Sequence, residues 1–372
     1  MGGIEAHCEA LFPRIKALRP RDEIVVFGRS PYVPKNNDSY HGLKIRSVFT
    51  IRNKYLEALL HTLLTVCVAR KSYPGAILHI HGIGPALATP LARLLGFDVV
   101  VTHHGADYNR AKWNRFARSA LRFGESIAIR NANKIIVVSH SLTETLKAQF
   151  PAQADKIDYI PNGAQIISAA ENDGEDFTRF LAEHNTVPGG YILAVARLVP
   201  EKGLHDLIDA FEKSDTRAQL LIAGGVDHVD SYARALMARG NARVRFLGRQ
   251  PRDMVEKLYA NASLFVMPSS HEGLPIAALE AASAGAPLLL SDIQPNLDLG
   301  LARANYFPQG DVAALAEALA VEPGTYQIDL APLLERFNWD AVAAATNIVY
   351  QNIVKSASKR RTMFNNRMPL QL

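Results

Sequence analysis

Cysteine is nearly absent: Cys8 and Cys67 are the only two in 372 residues. They build neither a disulfide framework nor a zinc pattern, and such usage fits a reducing cytoplasm. No stretch is long and apolar enough to span a bilayer. The longest candidate, Leu56 to Ala69, is broken by Glu57, His61, Thr62 and Thr65 and reads as a buried helix. No signal peptide is legible, because the chain opens on glycines and a glutamate-bearing helix. The net charge is a modest +5, and no nucleic-acid motif accompanies it, so nucleic acid is not expected as a partner. There is no Asp-x-Asp pair to hold a divalent metal on a diphosphate. Neither half opens with G-x-G-x-x-G after a strand, which disfavours a nicotinamide dehydrogenase.

What is present is a globular composition, 48% apolar and 21% charged, over a length that fits two domains. Short β-rich runs alternate with helical patterns, the mark of parallel sheets made of βαβ units. In the first half the runs are Ile24–Gly28, Lys44–Val48, Ile77–His81, Val99–His103, Ile135–Ser139 and Ile157–Pro161. An acidic, Gly/Pro-bearing stretch from Ser168 to Gly190 follows, and then the pattern restarts. The second set is Tyr191–Arg197, Gln219–Gly224, Val244–Leu247, Leu264–Pro268, Pro287–Ser291 and a weaker Asn305–Phe307. This predicts an α/β protein of two facing, doubly wound, Rossmann-like domains, with ligands at the carboxyl ends of strands. The predicted division is 1–187 and 188–337. A last helix, about 338–355, carries a stripe of Trp339, Val342, Ala343, Thr346, Val349 and Tyr350 and returns to the first domain. Residues 356–372 are rich in Lys and Arg, contain no acid, and read as a mobile tail.

The segment Ser269-Ser270-His271-Glu272-Gly273-Leu274-Pro275-Ile276 leaves a strand and enters a helix, with Pro275 suited to the first helical position. Amides from Gly273 to Ile276 then form an anion site suited to a diphosphate. Glu272 and Glu280 can accept hydrogen bonds from two parts of an extended ligand. Arg197 and Lys202 leave the second domain's first strand and can neutralise a diphosphate as charge develops on it. In the first half, Thr102-His103-His104-Gly105-Ala106-Asp107 ends a strand, where His104 and Asp107 could each hydrogen-bond a ligand such as a sugar. His79/His81 and His103/His104 lack a supporting carboxylate or thiol, so no metal site is expected. Asn109 to Phe123 forms a helical pattern with Trp113, Phe116, Ala117, Ala120 and Leu121 on one side. Lys112, Arg115, Arg118 and Arg122 lie on the other, a pattern suited to an anionic membrane surface.

Arg197 with Lys202, Glu272 with Glu280, His104-Gly105, Pro161-Asn162-Gly163 and Gly2-Gly3-Ile4-Glu5 together resemble the family 4 retaining glycosyltransferases (group 1 glycosyl transferases), of bacterial surface-polysaccharide type. The resemblance covers nearly the whole chain. It implies a GT-B fold and metal-independent transfer from a UDP- or GDP-sugar to a glycan or lipid-linked acceptor, with retention and with no cofactor. It further implies Arg197 and Lys202 on the diphosphate, Glu280 on the ribose, Glu272 on the donor sugar, Gly2 and Gly3 lining the donor site, and His104 beside the reacting sugar. The expected location is the cytoplasm, peripheral on the inner face of the cell membrane. One departure stands out. The glycine pair that should follow the first strand opens the chain, so the first strand of the N-terminal domain is missing from the pattern. The expectation is that the coding sequence reads upstream of Met1, or that a longer chain is more stable. A UDP-sugar epimerase and a sugar-nucleotide-binding protein without turnover are the alternative readings.

Overall fold

A computed structural model describes residues 3–30, 32–33, 39–51, 57–105, 115–164, 175–226 and 229–365. The chain divides into two compact units, and the last helix belongs to the first of them.

The first unit contains α1 (Gly3–Leu18), β1 (Val25–Arg29), β2 (Ser39–Tyr40), β3 (Leu43–Val48), α2 (Glu57–Ser72), β4 (Ile77–His81) and α3 (Thr89–Leu94). It continues through β5 (Asp98–His103), α4 (Arg115–Asn131), β6 (Lys134–Val137), α5 (His140–Gln149) and β7 (Ile157–Tyr159). The second unit runs α6 (Glu175–Glu183), β8 (Tyr191–Val195), α7 (Leu204–Lys213), β9 (Gln219–Ala223), α8 (Ser231–Met237), β10 (Val244–Gly248) and α9 (Arg252–Ala260). It closes with β11 (Leu264–Met267), α10 (Ile276–Ser283), β12 (Leu288–Ser291), α11 (Gln294–Leu297), β13 (Tyr306–Phe307), α12 (Val312–Ala320) and α13 (Leu330–Arg336). The final helix, α14, is Trp339–Asn365.

Every predicted strand is present, and the second unit is a single six-stranded sheet in the order β10-β9-β8-β11-β12-β13. All its pairings are parallel. Relative to the unit's own start this order is 3-2-1-4-5-6, the doubly wound arrangement, and its winding reverses between β8 and β11. Strands in such a sheet are covered on both faces, which is why β11 reads Leu-Phe-Val-Met and β12 Leu-Leu-Leu-Ser without alternation. All eight of those residues are buried.

In the first unit the strands form two separate sheets, β1-β3-β2 and β4-β5-β6-β7. They share a core, since Phe27 of β1 packs on the cluster that holds Ile80 of β4. Among the described residues no ladder joins β1 to β4. α14 lays Trp339, Val342, Ala343, Val349 and Ile353 against Ala10, Leu11 and Ile15 of α1. Burying each such large aliphatic side chain stabilises by about 1.5–3 kcal/mol.

Two boundaries differ from the sequence reading. The units part after Pro161 rather than after 187, because α6 buries Phe177 and Leu181 within the second unit. α14 runs on to Asn365 and takes in much of the expected tail. No glycine or proline interrupts Trp339 to Asn365, so helix propensity carries the basic run along with it. Residues 366–372 lie outside the described residues.

Candidate active site

The winding reversal of the second unit is where β8 and β11 both end, and the sequence-predicted residues of that unit gather there. After β8 the chain passes Arg197, half-buried, then a single 3-10 turn from Pro200 to Lys202, and reaches Gly203 with φ of 62°. A Cβ at Gly203 would stand 2.1 Å from the carbonyl oxygen of Pro268. Only glycine permits both the left-handed backbone and that approach. The loop after β8 is thereby pressed onto the loop after β11. The Ser270 amide donates to the Glu201 carbonyl at 2.9 Å and joins the same two loops. On the other side, Gly224 at the end of β9 (φ 137°) places its would-be Cβ 1.9 Å from the Ala196 carbonyl oxygen. The glycine requirement at 224 was not singled out in the sequence.

This close seating lets Lys202 Nζ donate to Glu272 Oε1 at 2.5 Å, with the two side chains only 19% and 11% exposed. Burial would push the Glu272 carboxyl up, but the Lys202 ammonium, together with Ser269 and His271, outweighs it and holds the group below its ordinary range. Glu280 behaves oppositely. Burial pushes its carboxyl up, and Arg252 and the Tyr259 hydroxyl, which donates to Oε2 at 3.4 Å, do not reverse the shift. Two carboxylates at the two ends of one segment are thus held in different states of readiness, one fixed as an anion and one more easily protonated.

Pro275 caps α10 instead of starting it, and the helix begins at Ile276. The Pro275 carbonyl accepts from the Ala278 and Leu279 amides. Pro275 has no amide of its own. Among the described residues no backbone carbonyl takes the amides of Gly273, Leu274 or Ile276, so these remain able to bind an anion. The loop is braced from outside: Asn162 Nδ2 donates to the Leu274 carbonyl at 3.3 Å, and Asn162 is buried. Pro161-Asn162-Gly163 is weak as a motif, and this contact gives its asparagine a task. Ser291 Oγ donates to the Ser269 carbonyl at 2.5 Å, and Asn296 Nδ2 donates to the Ser291 carbonyl at 2.8 Å, securing the segment from β12 and α11.

His104 and Gly3 belong to the first unit. Gly3 opens α1, with open space where a Cβ would sit. His104 directly follows β5 and shares a hydrogen bond with His81, Nε2 to Nδ1, at 3.0 Å. His7 of α1 meets the His104 ring edge-on, with centres 4.7 Å apart. Burial first, then the neighbouring imidazoles, holds His81 and His104 well below the ordinary histidine range. A neutral His104 can give or take one hydrogen bond but carries no charge. His103 is buried, accepts from the Gly105 amide at 3.2 Å, and faces Glu125 at 3.7 Å. His7 escaped the sequence reading because nothing local marks a helical histidine that meets two strand ends. Gly2 and Asp107 lie outside the described residues, as do Asn109 to Asn114.

Comparison with known proteins identifies the family and the fold. Residues 1–166 match the Glycosyltransferase Family 4 domain, and residues 179–321 match the Glycosyl transferases group 1 domain. A 2-deoxystreptamine N-acetyl-D-glucosaminyltransferase of Streptomyces fradiae is 26% identical over 86% of this chain and 82% of its own. The fold is shared with a sucrose-phosphate synthase of Thermosynechococcus elongatus, with a TM-score of 0.78 at 21% identity, covering 95% of this chain and 94% of that one. It is shared also with Anabaena HepE in complex with UDP-glucose, with a TM-score of 0.75 at 18% identity, covering 96% of each chain. The chain is a GT-B protein of the glycosyltransferase family, its first part a family 4 domain and its second a group 1 domain.

Proposed function

We propose that this glycosyltransferase moves a hexose or deoxyhexose from a UDP- or GDP-sugar to a hydroxyl of a lipid-linked or polysaccharide glycan, with retention and without a divalent metal. The observation that carries the reading is the Lys202–Glu272 pair at the winding reversal, beside Arg197 and the open amides that begin α10. A nucleotide diphosphate satisfies all of them at once. Its phosphates meet Arg197, Lys202 and the amides of Gly273, Leu274 and Ile276, with Pro275 setting the turn. Glu272 accepts from a hydroxyl of the donor sugar, and Glu280 accepts from the ribose. Gly2 and Gly3 are assigned to the donor phosphates, His104 to the transferring sugar and Asp107 to the acceptor. The UDP-glucose held by HepE supports a nucleotide-sugar donor.

Two cations on the diphosphate supply the charge stabilisation that a metal would otherwise give as the leaving group departs. Glu272 is occupied by Lys202, and among the described residues of the second unit's site no other group stands out as a nucleophile. Attack on the face the phosphate leaves, with that phosphate taking the acceptor proton, accounts for retention. We place the enzyme in the cytoplasm at the inner face of the cell membrane. α4 supports this, since Arg115, Arg118 and Arg122 are exposed and Phe123 is 65% exposed. No helix among the described residues is long and apolar enough to cross a membrane.

The test is a panel of UDP- and GDP-sugars scored by thermal shift, followed by proton NMR of the product formed with the best donor. A glycoside of unchanged anomeric configuration is expected. Inversion overturns the mechanism. Donor turnover without acceptor marks an epimerase, and binding without turnover on any acceptor extract marks a binding protein.

A further inference from the structure

The first unit holds a cluster of three imidazoles, of which the transfer proposed above uses only His104. His7 of α1, His81 at the end of β4 and His104 just after β5 each offer one ring nitrogen, and these three nitrogens lie within 4.8 Å of one another. The ring centres form a near-equilateral triangle of 4.7, 5.3 and 5.5 Å. Three imidazoles that share one tetrahedral ion through bonds of about 2.0–2.1 Å have centres roughly 5 Å apart. The three positions are set by rigid parts of the fold. His81 is in register with Thr102 across the β4–β5 ladder, and the Gly82 amide donates to the Thr102 carbonyl at 2.8 Å, holding both strand ends together. His7 is buried between α1 and the start of α14, its ring against Trp339.

We propose that His7, His81 and His104 form a binding site for one divalent transition-metal ion of the zinc class. Three nitrogen ligands on a borderline ion leave a fourth position for water or an exogenous oxygen. His79 is not that fourth ligand. Its ring stacks on His81 with centres 4.2 Å apart, but both its nitrogens are taken, by the Tyr350 hydroxyl at 2.6 Å and by Thr102 Oγ1 at 2.7 Å. It acts as a wall behind the site. The ion displaces the His81–His104 hydrogen bond, drawing both nitrogens onto itself. Hard ions such as Mg²⁺ and Ca²⁺, which prefer oxygen ligands, are excluded. One consequence rests on the function proposed above: a His104 that ligates a metal cannot also hydrogen-bond a sugar, so Zn²⁺ inhibits transfer and a chelator relieves the inhibition.

The binding itself is tested without activity. Chelator-treated full-length protein is titrated with Co²⁺ as a visible stand-in for Zn²⁺. One equivalent should bind, with the visible absorption of a four-coordinate ion, and Zn²⁺ should displace it one for one. His7→Gln and His81→Gln, each shown folded by circular dichroism, should lose the band. Affinity should fall by more than the roughly 10–100-fold that changes outside the ligand shell cost. Wild-type protein without saturable one-equivalent binding overturns the proposal, as does binding that persists in both folded variants. If either variant fails to fold, the ring signals of His7, His81 and His104 in the wild type decide. Selective paramagnetic shifts of these three on adding one equivalent of Co²⁺ support the site, and unshifted rings overturn it. Zn²⁺ binding without inhibition leaves the site standing and removes only the role given to His104.

Discussion

Lys202 and Glu272 come from loops after different strands, yet their charged atoms meet at 2.5 Å in a largely buried position. The pair has two jobs that pull apart on mutation. Removing the lysine strips the donor site of a cation and also leaves a buried carboxylate without its partner. Truncating one member of a fully buried pair costs about 3–5 kcal/mol, and the residual exposure here lowers that figure.

Lys202→Ala is therefore expected to reduce transfer by about a hundredfold or more, near 3 kcal/mol of transition-state stabilisation, and to lower the melting temperature as well. Adding Glu272→Gln in the same chain should restore much of the melting temperature and none of the activity. A double variant as unstable as the single one would show that the lysine is not held for its charge. The depressed Glu272 carboxyl gives a matching acid signature. Its contribution to stability is present above the ordinary carboxylate value and is lost as pH falls through its lower folded value.

Glu280 should show the reverse. Its folded carboxyl lies above the ordinary value, so the native state holds the proton more tightly than the unfolded chain. Stability then falls as pH rises across the interval between the two values, and that loss is complete once the pH lies above the folded one. Glu280→Gln is expected to melt no lower than wild type at pH 7.5, while donor binding collapses. Wild-type donor affinity should weaken on acidification at a pH above the ordinary glutamate range, and the variant should lack that limb. Isothermal titration across pH reads both outcomes, and an unaltered profile in the variant removes Glu280 from the ribose.

Much of this was legible in residue order, for physical reasons that differ by element. Strands covered on both faces must be continuously apolar, so Leu264–Met267 and Leu288–Ser291 declared themselves. The Arg197/Lys202 and Glu272/Glu280 spacings were legible because strand ends and one helix start fix them locally. What spacing does not carry is contact between distant segments. Nothing near Asn162 says that it grips the Leu274 carbonyl. Nothing near His7 says that two strand ends will meet it. The basic run after Lys355 was read by charge, when the lack of glycine and proline was the stronger signal for α14.

Gly203 offers a test of close seating apart from charge. An alanine there must hold a φ of 62° and place its Cβ against the Pro268 carbonyl. Gly203→Ala is expected to cost more than about 1 kcal/mol and to lower the melting temperature by several degrees. Donor affinity should fall with it, since the Lys202 loop is displaced from Glu272. Gly285→Ala is the control. It also sits at positive φ (84°) but has open space around its Cβ, so it should lose stability without losing donor affinity. Equal affinity losses in the two variants would mean that the loop seating is not what binds the donor.

The last prediction concerns α4. Its buried side carries Glu125, Ala128 and Ile129, while Arg115, Arg118, Ser119, Ala120, Arg122 and Phe123 are exposed. Leu121, predicted on an apolar side with Ala120, is half-buried while Ala120 is exposed, so α4 is only partly divided as the sequence suggested. The side chains of Trp113, Phe116 and Ala117 lie outside the described residues. Three exposed arginines near an anionic surface contribute about 1 kcal/mol each, and Phe123 can enter the headgroup layer beside them. Wild-type protein should co-sediment with liposomes in proportion to their anionic-lipid content and be released by salt. Arg115→Glu, Arg118→Glu and Arg122→Glu together should abolish sedimentation while transfer to a soluble acceptor continues. Phe123→Ser alone should weaken binding without changing its salt dependence. If wild type stays in the supernatant at low salt, or the triple variant sediments as well as wild type does, α4 is not the membrane contact.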